Sequence, residues 1–208
     1  MEGEKMIISD MPEGPKLKPG IPAITVEAEY DGYSPEDSLW VDYDFGDDPE
    51  KGIISGGPES YVISPVTSEN LFSDKYLNCL GTIGIGRDAI TGKEIAFISH
   101  QDPEFFLNRG PEQTKKFETD FKNIINDLVA QSQEGTIEII LFGGNDTPDD
   151  PAAKKSVDYT KSIELLKGFV QETLGFRPTV IQGPNRRGGA IDATVFTAER
   201  KIIFGNVK

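Results

Sequence analysis

Cysteine and histidine are almost missing from this chain: among 208 residues there is one of each, Cys79 and His100. A lone cysteine closes no internal disulfide, so the fold does not depend on an oxidising compartment. Without a second histidine or cysteine the usual tetrahedral zinc set cannot be assembled. Basic residues are also scarce. The 21 Lys and Arg stand against 35 Asp and Glu, a formal charge of −14, which repels phosphate backbones and anionic headgroups and excludes nucleic acid as an expected partner. No apolar run approaches the roughly 20 residues a spanning helix needs, so no membrane insertion is expected. The opening Met1-Glu-Gly-Glu-Lys-Met-Ile-Ile-Ser-Asp10 carries acids where a secretory leader carries bases, and cytoplasmic residence is the expectation.

Two further absences narrow the chemistry. No Gly-x-Ser-x-Gly elbow occurs, which argues against a serine hydrolase of that type. Gly81-Thr-Ile-Gly84-Ile-Gly86 has the glycine density of a nucleotide loop but the wrong order, and no helix follows it. Small residues there instead let another element approach the strand closely. No cofactor is expected.

What is present divides the chain near residue 60. Residues 1–60 are rich in Pro, Gly and acids and read as an extension, partly disordered or draped on a core. Within it, residues 30–49 interleave aromatics with acids, which suits an interaction segment or a loop that pins rings onto a core. Asp42, Asp44 and Asp47 have the look of a calcium loop, but its glycine comes one place early and Ile53 stands where the closing Glu should be. A solvated acidic loop is the better reading. From residue 61 the pattern is that of a compact domain. Tyr61-Val-Ile-Ser-Pro-Val-Thr67 reads as a strand, Phe117, Phe121, Ile124, Ile125 and Leu128 predict a helix over 112–132, and Thr136–Phe142 reads as a strand. A second helix runs from Ala152 to Leu174, presenting Ile163, Leu166, Phe169 and Val170, and strands follow at 179–182, 191–196 and 201–204. This order predicts an α+β fold in α/β/β layers, with mixed or antiparallel sheets and two main helices; a doubly wound parallel sheet does not fit.

The cysteine and histidine fall in one hairpin. Cys79-Leu-Gly-Thr-Ile-Gly-Ile-Gly-Arg87 and Glu94-Ile-Ala-Phe-Ile-Ser-His100 flank the turn-like Asp88–Lys93, where Gly92 suits a left-handed position. If paired residue numbers sum to 181, Cys79 and His100 share a face as a diagonal pair; a sum of 180 sends them to opposite faces. On one face they support acyl transfer, in which the imidazole takes the thiol proton and the thiolate attacks a carbonyl or carboxamide carbon. An imidazolium beside the thiol would depress its pKa. Ser73, Asn78 and Asp102 are the candidates to orient the imidazole. The alternative is structural, since free cysteine is among the most buried residue types and a strand-end histidine is often a satisfied hydrogen-bond partner.

Ser73-Asp-Lys-Tyr-Leu-Asn-Cys79, then an apolar strand, a turn and a strand ending in His100, resembles the active-site segment of the CheD family of chemoreceptor glutamine deamidases. There a hydroxyl residue lies six before the cysteine. Ile140-Leu-Phe-Gly-Gly-Asn145 is similar to the family's strand ending in Phe-Gly-Gly, and Gln182-Gly-Pro-Asn-Arg-Arg-Gly-Gly189 to its closing glycine-rich turn. The likeness spans about residues 70–205. It departs in Leu77-Asn78, where the family has Gly-Ser, and in a longer stretch from Cys79 to His100. The deamidating toxins of the cytotoxic necrotizing factor group use the same pair on a related fold. The resemblance implies a protein-glutamine deamidase working through a thioester, with Cys79 as nucleophile, His100 as base and Ser73 holding the imidazole. Asn78, Asn145, Arg186 and Arg187 are the candidate substrate contacts. Two other readings stay open: an inactive CheD-like module that uses residues 30–49 against a partner's basic surface, and a thiol protease or transamidase.

Overall fold

The computed structural model describes residues 14–28, 37–42, 53–55, 61–76, 79–103, 107, 110–143, 153–182 and 191–206. The hairpin strands β6 (Leu80–Arg87) and β7 (Glu94–Gln101) are buried along almost their whole length, which requires cover on both faces. They sit inside a five-stranded sheet of order β4-β7-β6-β8-β9, with β4 Tyr61–Ile63, β8 Glu138–Gly143 and β9 Thr179–Gln182. Leu80, Ile95, Phe97, Ile139 and Leu141 point to one side. There they meet Phe117, Phe121, Ile125 and Leu128 of helix α1 (Pro111–Gln131) and Ile163, Leu166, Phe169 and Val170 of helix α2 (Ala153–Leu174).

The intervening residues of the same strands, Ile83, Ile85, Ala96, Ile98, Ile140 and Phe142, pack the other way onto a second sheet. This sheet has six strands in the order β1-β11-β10-β5-β2-β3: β1 Thr25–Ala28, β2 Ser38–Asp42, β3 Ile53–Ser55, β5 Asn70–Tyr76, β10 Ile191–Phe196 and β11 Lys201–Asn206. The fold is α+β, with helices, sheet and sheet in three layers, and both sheets mix parallel and antiparallel pairs. Both helices lie within a residue of their expected bounds, because a 3.6-residue apolar repeat over five turns has no competing reading. At the hairpin turn Gly92 adopts φ 71°.

The expected boundary at residue 60 cuts through the six-stranded sheet. β1 pairs in parallel with β11, β2 lies between β3 and β5, and Val41 is fully buried. The three described strands of the N-terminal stretch are thus built into a sheet rather than draped on one. Their apolar patches are too short to signal strands alone; β1 forms on the hydrogen-bonding edge of β11, β2 on that of β5 and β3 on that of β2. Asp42, expected in a solvated loop, ends β2 and is buried. Asp44 and Asp47 lie outside the described residues. Five residues of the acidic aromatic stretch, Ser38–Asp42, are strand β2, with Trp40 edge-on to Phe72 at 5.4 Å, so they are not available as a free interaction segment.

Candidate active site

The hairpin register sums to 181: Gly81 stands opposite His100 and Arg87 opposite Glu94. Cys79, two residues before Gly81, therefore shares the face of His100, in the diagonal relation that separates Cα atoms by about 7–8 Å. Both side chains look into the space between the sheets, where Cys79 belongs to the same cluster as Ile83, Ile98 and Phe142. His100 is 2% exposed and Cys79 9%. The missing side chain at Gly81 leaves the place facing His100 to the Phe142 ring, which occupies the room a Cβ would take. At the end of β8, Gly143 holds φ 82°, and a Cβ there would lie 2.7 Å from the carbonyl oxygen of Cys79. A glycine lets β8 seat this close against the backbone of the candidate nucleophile.

A bulge in β5 brings the third residue in. Tyr76 pairs with Ile191 and Ser73 with Ala193, so Asp74 and Lys75 together oppose Asp192. Lys75 takes the left-handed conformation, φ 59°, and its N–H donates to Asp192 Oδ1 at 3.3 Å. The extra residue resets the alternation. Leu71, Ser73 and Tyr76 all face the other sheet, while Phe72 and Asp74 face away. Ser73 Oγ lies 3.3 Å from His100 Nδ1. The Tyr76 ring stacks on the imidazole, with centroids 4.0 Å apart and planes 22° apart, and its hydroxyl donates to the Ser99 carbonyl at 3.1 Å.

Burial, with the nearby charge of Lys75 adding to it, pushes His100 down to about 3, so the imidazole is neutral at physiological pH. The expected imidazolium is thus corrected: removal from water penalises the charged ring, and the nearby cation is Lys75. Burial likewise drives the Tyr76 phenol well above its ordinary value, with Ser73 within hydrogen-bond reach of it. Behind β5, burial raises Asp74, and it raises Asp192 to about 6.

Of the residues singled out in the sequence, Ser73 and His100 are in contact and Cys79 shares their side of the sheet. Asp102 follows β7 and is half-buried, and the group shown within hydrogen-bond distance of Nδ1 is the Ser73 hydroxyl. Asn78, Asn145, Arg186 and Arg187 lie outside the described residues. Sequence reasoning missed Tyr76. An aromatic three residues after Ser73 would face the opposite way in a regular strand, so the bulge was the only signal, and Asp-Lys is not a distinctive bulge sequence. A second missed group is Arg200, 1% exposed and paired with Glu94 and Glu138 at the other end of the same strands.

An α+β protein with a serine against a histidine, and a cysteine on the same face, between two sheets is the class that fold and site define. Against known proteins, the chain matches no family model and no curated protein. Among the described residues, no helix is long and apolar enough to cross a membrane, and no group of His, Cys, Asp and Glu could hold a metal ion.

Proposed function

We propose that this chain is a cysteine-dependent amidohydrolase that deamidates protein glutamine, as the CheD family it resembles does. The observation that carries the reading is the contact of Ser73 Oγ with His100 Nδ1 on the hairpin face that also bears Cys79. With the ring proton on Nδ1 and donated to Ser73, Nε2 carries the basic lone pair. Nε2 takes the thiol proton as sulfur attacks the carboxamide carbon. The proton passes to the departing nitrogen, ammonia leaves and a thioester forms. Water then adds with His100 again as base, releasing glutamate and restoring the thiol.

The electrostatics act on this cycle in two directions. A neutral imidazole is already a base at pH 7, so no proton need first be lost from it. The imidazolium formed on attack is disfavoured by burial and by Lys75, which pushes the proton on to the leaving group. General-base catalysis contributes roughly 10²- to 10⁴-fold when the pKa of the base lies near the working pH; at about 3 the buried imidazole is a weaker base than that, so the cycle calls for substrate binding to raise it. The thiol must stay reduced, which fits work in the cytoplasm, and the charge of −14 suits a substrate protein with a basic surface. The near-complete burial of His100 is the observation that favours a second reading, a CheD-like module that binds its partner without turnover.

The test is ammonia release from glutamine-bearing proteins, with mass spectrometry of the product. The expected result is conversion of glutamine to glutamate that vanishes in Cys79→Ala. Cleaved peptide bonds would move the assignment to a protease. No release, with Cys79 reacting with iodoacetamide no faster than an ordinary thiol, would leave the binding module.

A further inference from the structure

We propose that Tyr76 is a positioning residue for the His100 imidazole, set in place by the bulge at Lys75. The inference rests on the reading of Cys79 and His100 as a reacting pair. An imidazole at the end of a strand has two side-chain torsions to fix. Ser73 at Nδ1 holds one edge of the ring, and a hydrogen bond at one nitrogen does not by itself set the plane of a ring. The stacked phenol ring, 4.0 Å away and nearly parallel, sets the plane. Tyr76 is itself held on two sides. Its hydroxyl donates to the carbonyl of Ser99, the residue before His100, and Phe142 packs edge-on against it at 4.8 Å from its seat over Gly81. The clamp is therefore anchored to the strand that carries the histidine, and any drift of β5 would carry both groups together.

The bulge decides which side chain meets the imidazole. In a regular strand, residues 71, 73 and 75 share a face, so Lys75 would point at His100 and Tyr76 would point away. With the extra residue, Lys75 is exposed on the outside and an apolar ring covers one face of the imidazole. A flat ring excludes water from that face, keeps the base uncharged and holds Nε2 in one direction. A lysine in its place would have brought a full charge, with the water that solvates it, against the face of the imidazole.

The chain's single histidine makes the test direct, because its ring protons give the sole imidazole signals in a proton spectrum. In the wild-type protein those signals should be moved upfield by the stacked ring and should not titrate between about pH 5 and 8, the usual range for histidine. Tyr76→Phe keeps the ring and should keep both properties, with iodoacetamide reacting at Cys79 within about twofold of wild type. Tyr76→Met keeps the bulk without the ring. It should lose the upfield shift, move the His100 titration toward 6.5, slow Cys79 alkylation by roughly ten- to a hundredfold as for a misplaced group, and give the alkylation rate a new inflection at the new histidine pKa. A merely structural tyrosine would lower the melting temperature in Tyr76→Met and leave the titration and the rate profile unmoved, which would overturn the proposal. So would a wild-type spectrum without the upfield shift, a result that needs no variant to fold. His100→Gln separates the two claims. If it leaves alkylation unchanged, the reacting pair fails; if it slows alkylation while Tyr76→Met does not, the pair stands and Tyr76 alone is overturned.

Discussion

Two buried polar groups occupy opposite ends of the space between the sheets, and they are built on opposite principles. Near the hairpin turn, Arg200 donates from Nη1 to Glu94 Oε2 at 2.8 Å, and from Nη2 to Glu138 Oε2 at 2.7 Å and the Thr136 carbonyl at 3.1 Å. Arg87 Nε adds a bond to Glu94 Oε1 at 2.7 Å, and the backbone N–H of Ile24 reaches Glu138 at 3.1 Å. Six positions along β7, about 20 Å away at strand rise, His100 rests against a serine hydroxyl and a tyrosine ring. At one end full charges are buried and met by full charges; at the other a titratable ring is kept neutral. The first arrangement holds a structure, because a buried charge that loses its partner is costly. The second suits chemistry, since a carboxylate or guanidinium in contact would fix the protonation state the reaction has to change.

The largest effect that sharpens this contrast is expected at the charged end. Arg200→Met leaves Glu94 and Glu138 buried without their shared cation and should lower unfolding free energy by about 3–5 kcal/mol, read from urea titrations, while Cys79 alkylation in the folded protein stays at the wild-type rate. A loss under about 1 kcal/mol, the range of a surface ion pair, would erase the distinction. At the neutral end the loss should fall on rate instead. Ser73→Ala frees the imidazole edge and should slow alkylation and deamidation by roughly tenfold to a hundredfold, mostly in kcat, with stability lower by only about 1 kcal/mol, a typical hydrogen bond. Equal alkylation rates in Ser73→Ala and wild type would remove Ser73 from the site.

The pH dependence separates the ends further. His100 has a folded-state value of about 3 against 6.5 in the unfolded chain, so below pH 6.5 the unfolded state binds the extra proton. Stability should fall as pH drops from 6.5 toward 3, by at most about 1.4 kcal/mol per pH unit from this group. Above pH 6.5 the group is neutral in both states and its slope vanishes. His100→Gln should flatten that window, and an unchanged slope in urea midpoints would show that the ring is not held neutral. Asp192 has the opposite sign and the smallest expected effect. Raised to about 6 from 3.8, it favours the folded state only when protonated, so its contribution is lost as pH rises through 6. Asp192→Asn, which can still accept the Lys75 N–H, should be slightly more stable than wild type at pH 7, with the gain fading below pH 6. A gain that grows on acidification would reverse the assignment.

Much of the α+β framework was legible in the residues. The helices carry apolar side chains at helical spacing, and the hairpin pairs two apolar runs across a turn whose Gly92 could take a positive φ. Strand β5 was not legible, although it carries Ser73, because its Leu71-Phe72 pair and its bulge spoil the alternation that marks a strand. β1, β2 and β3 were invisible for another reason: three to five residues hold too little pattern, and their partners are far away in the sequence. The Arg200 cluster joins residues from β1's approach, β7, β8 and the turn before β11, and no local window contains it.

Local order therefore determined which elements exist where periodicity runs for several turns or a full strand, and the single cysteine and histidine narrowed the candidate chemistry to one pair. Tertiary structure decided the rest. It built the N-terminal strands into a sheet, chose Tyr76 over Lys75 as the neighbour of His100, and held that histidine neutral. The physical reason is that bulges, edge pairing and desolvation depend on what packs from elsewhere in the chain, whereas helical and hairpin patterns are written in residues that are already neighbours.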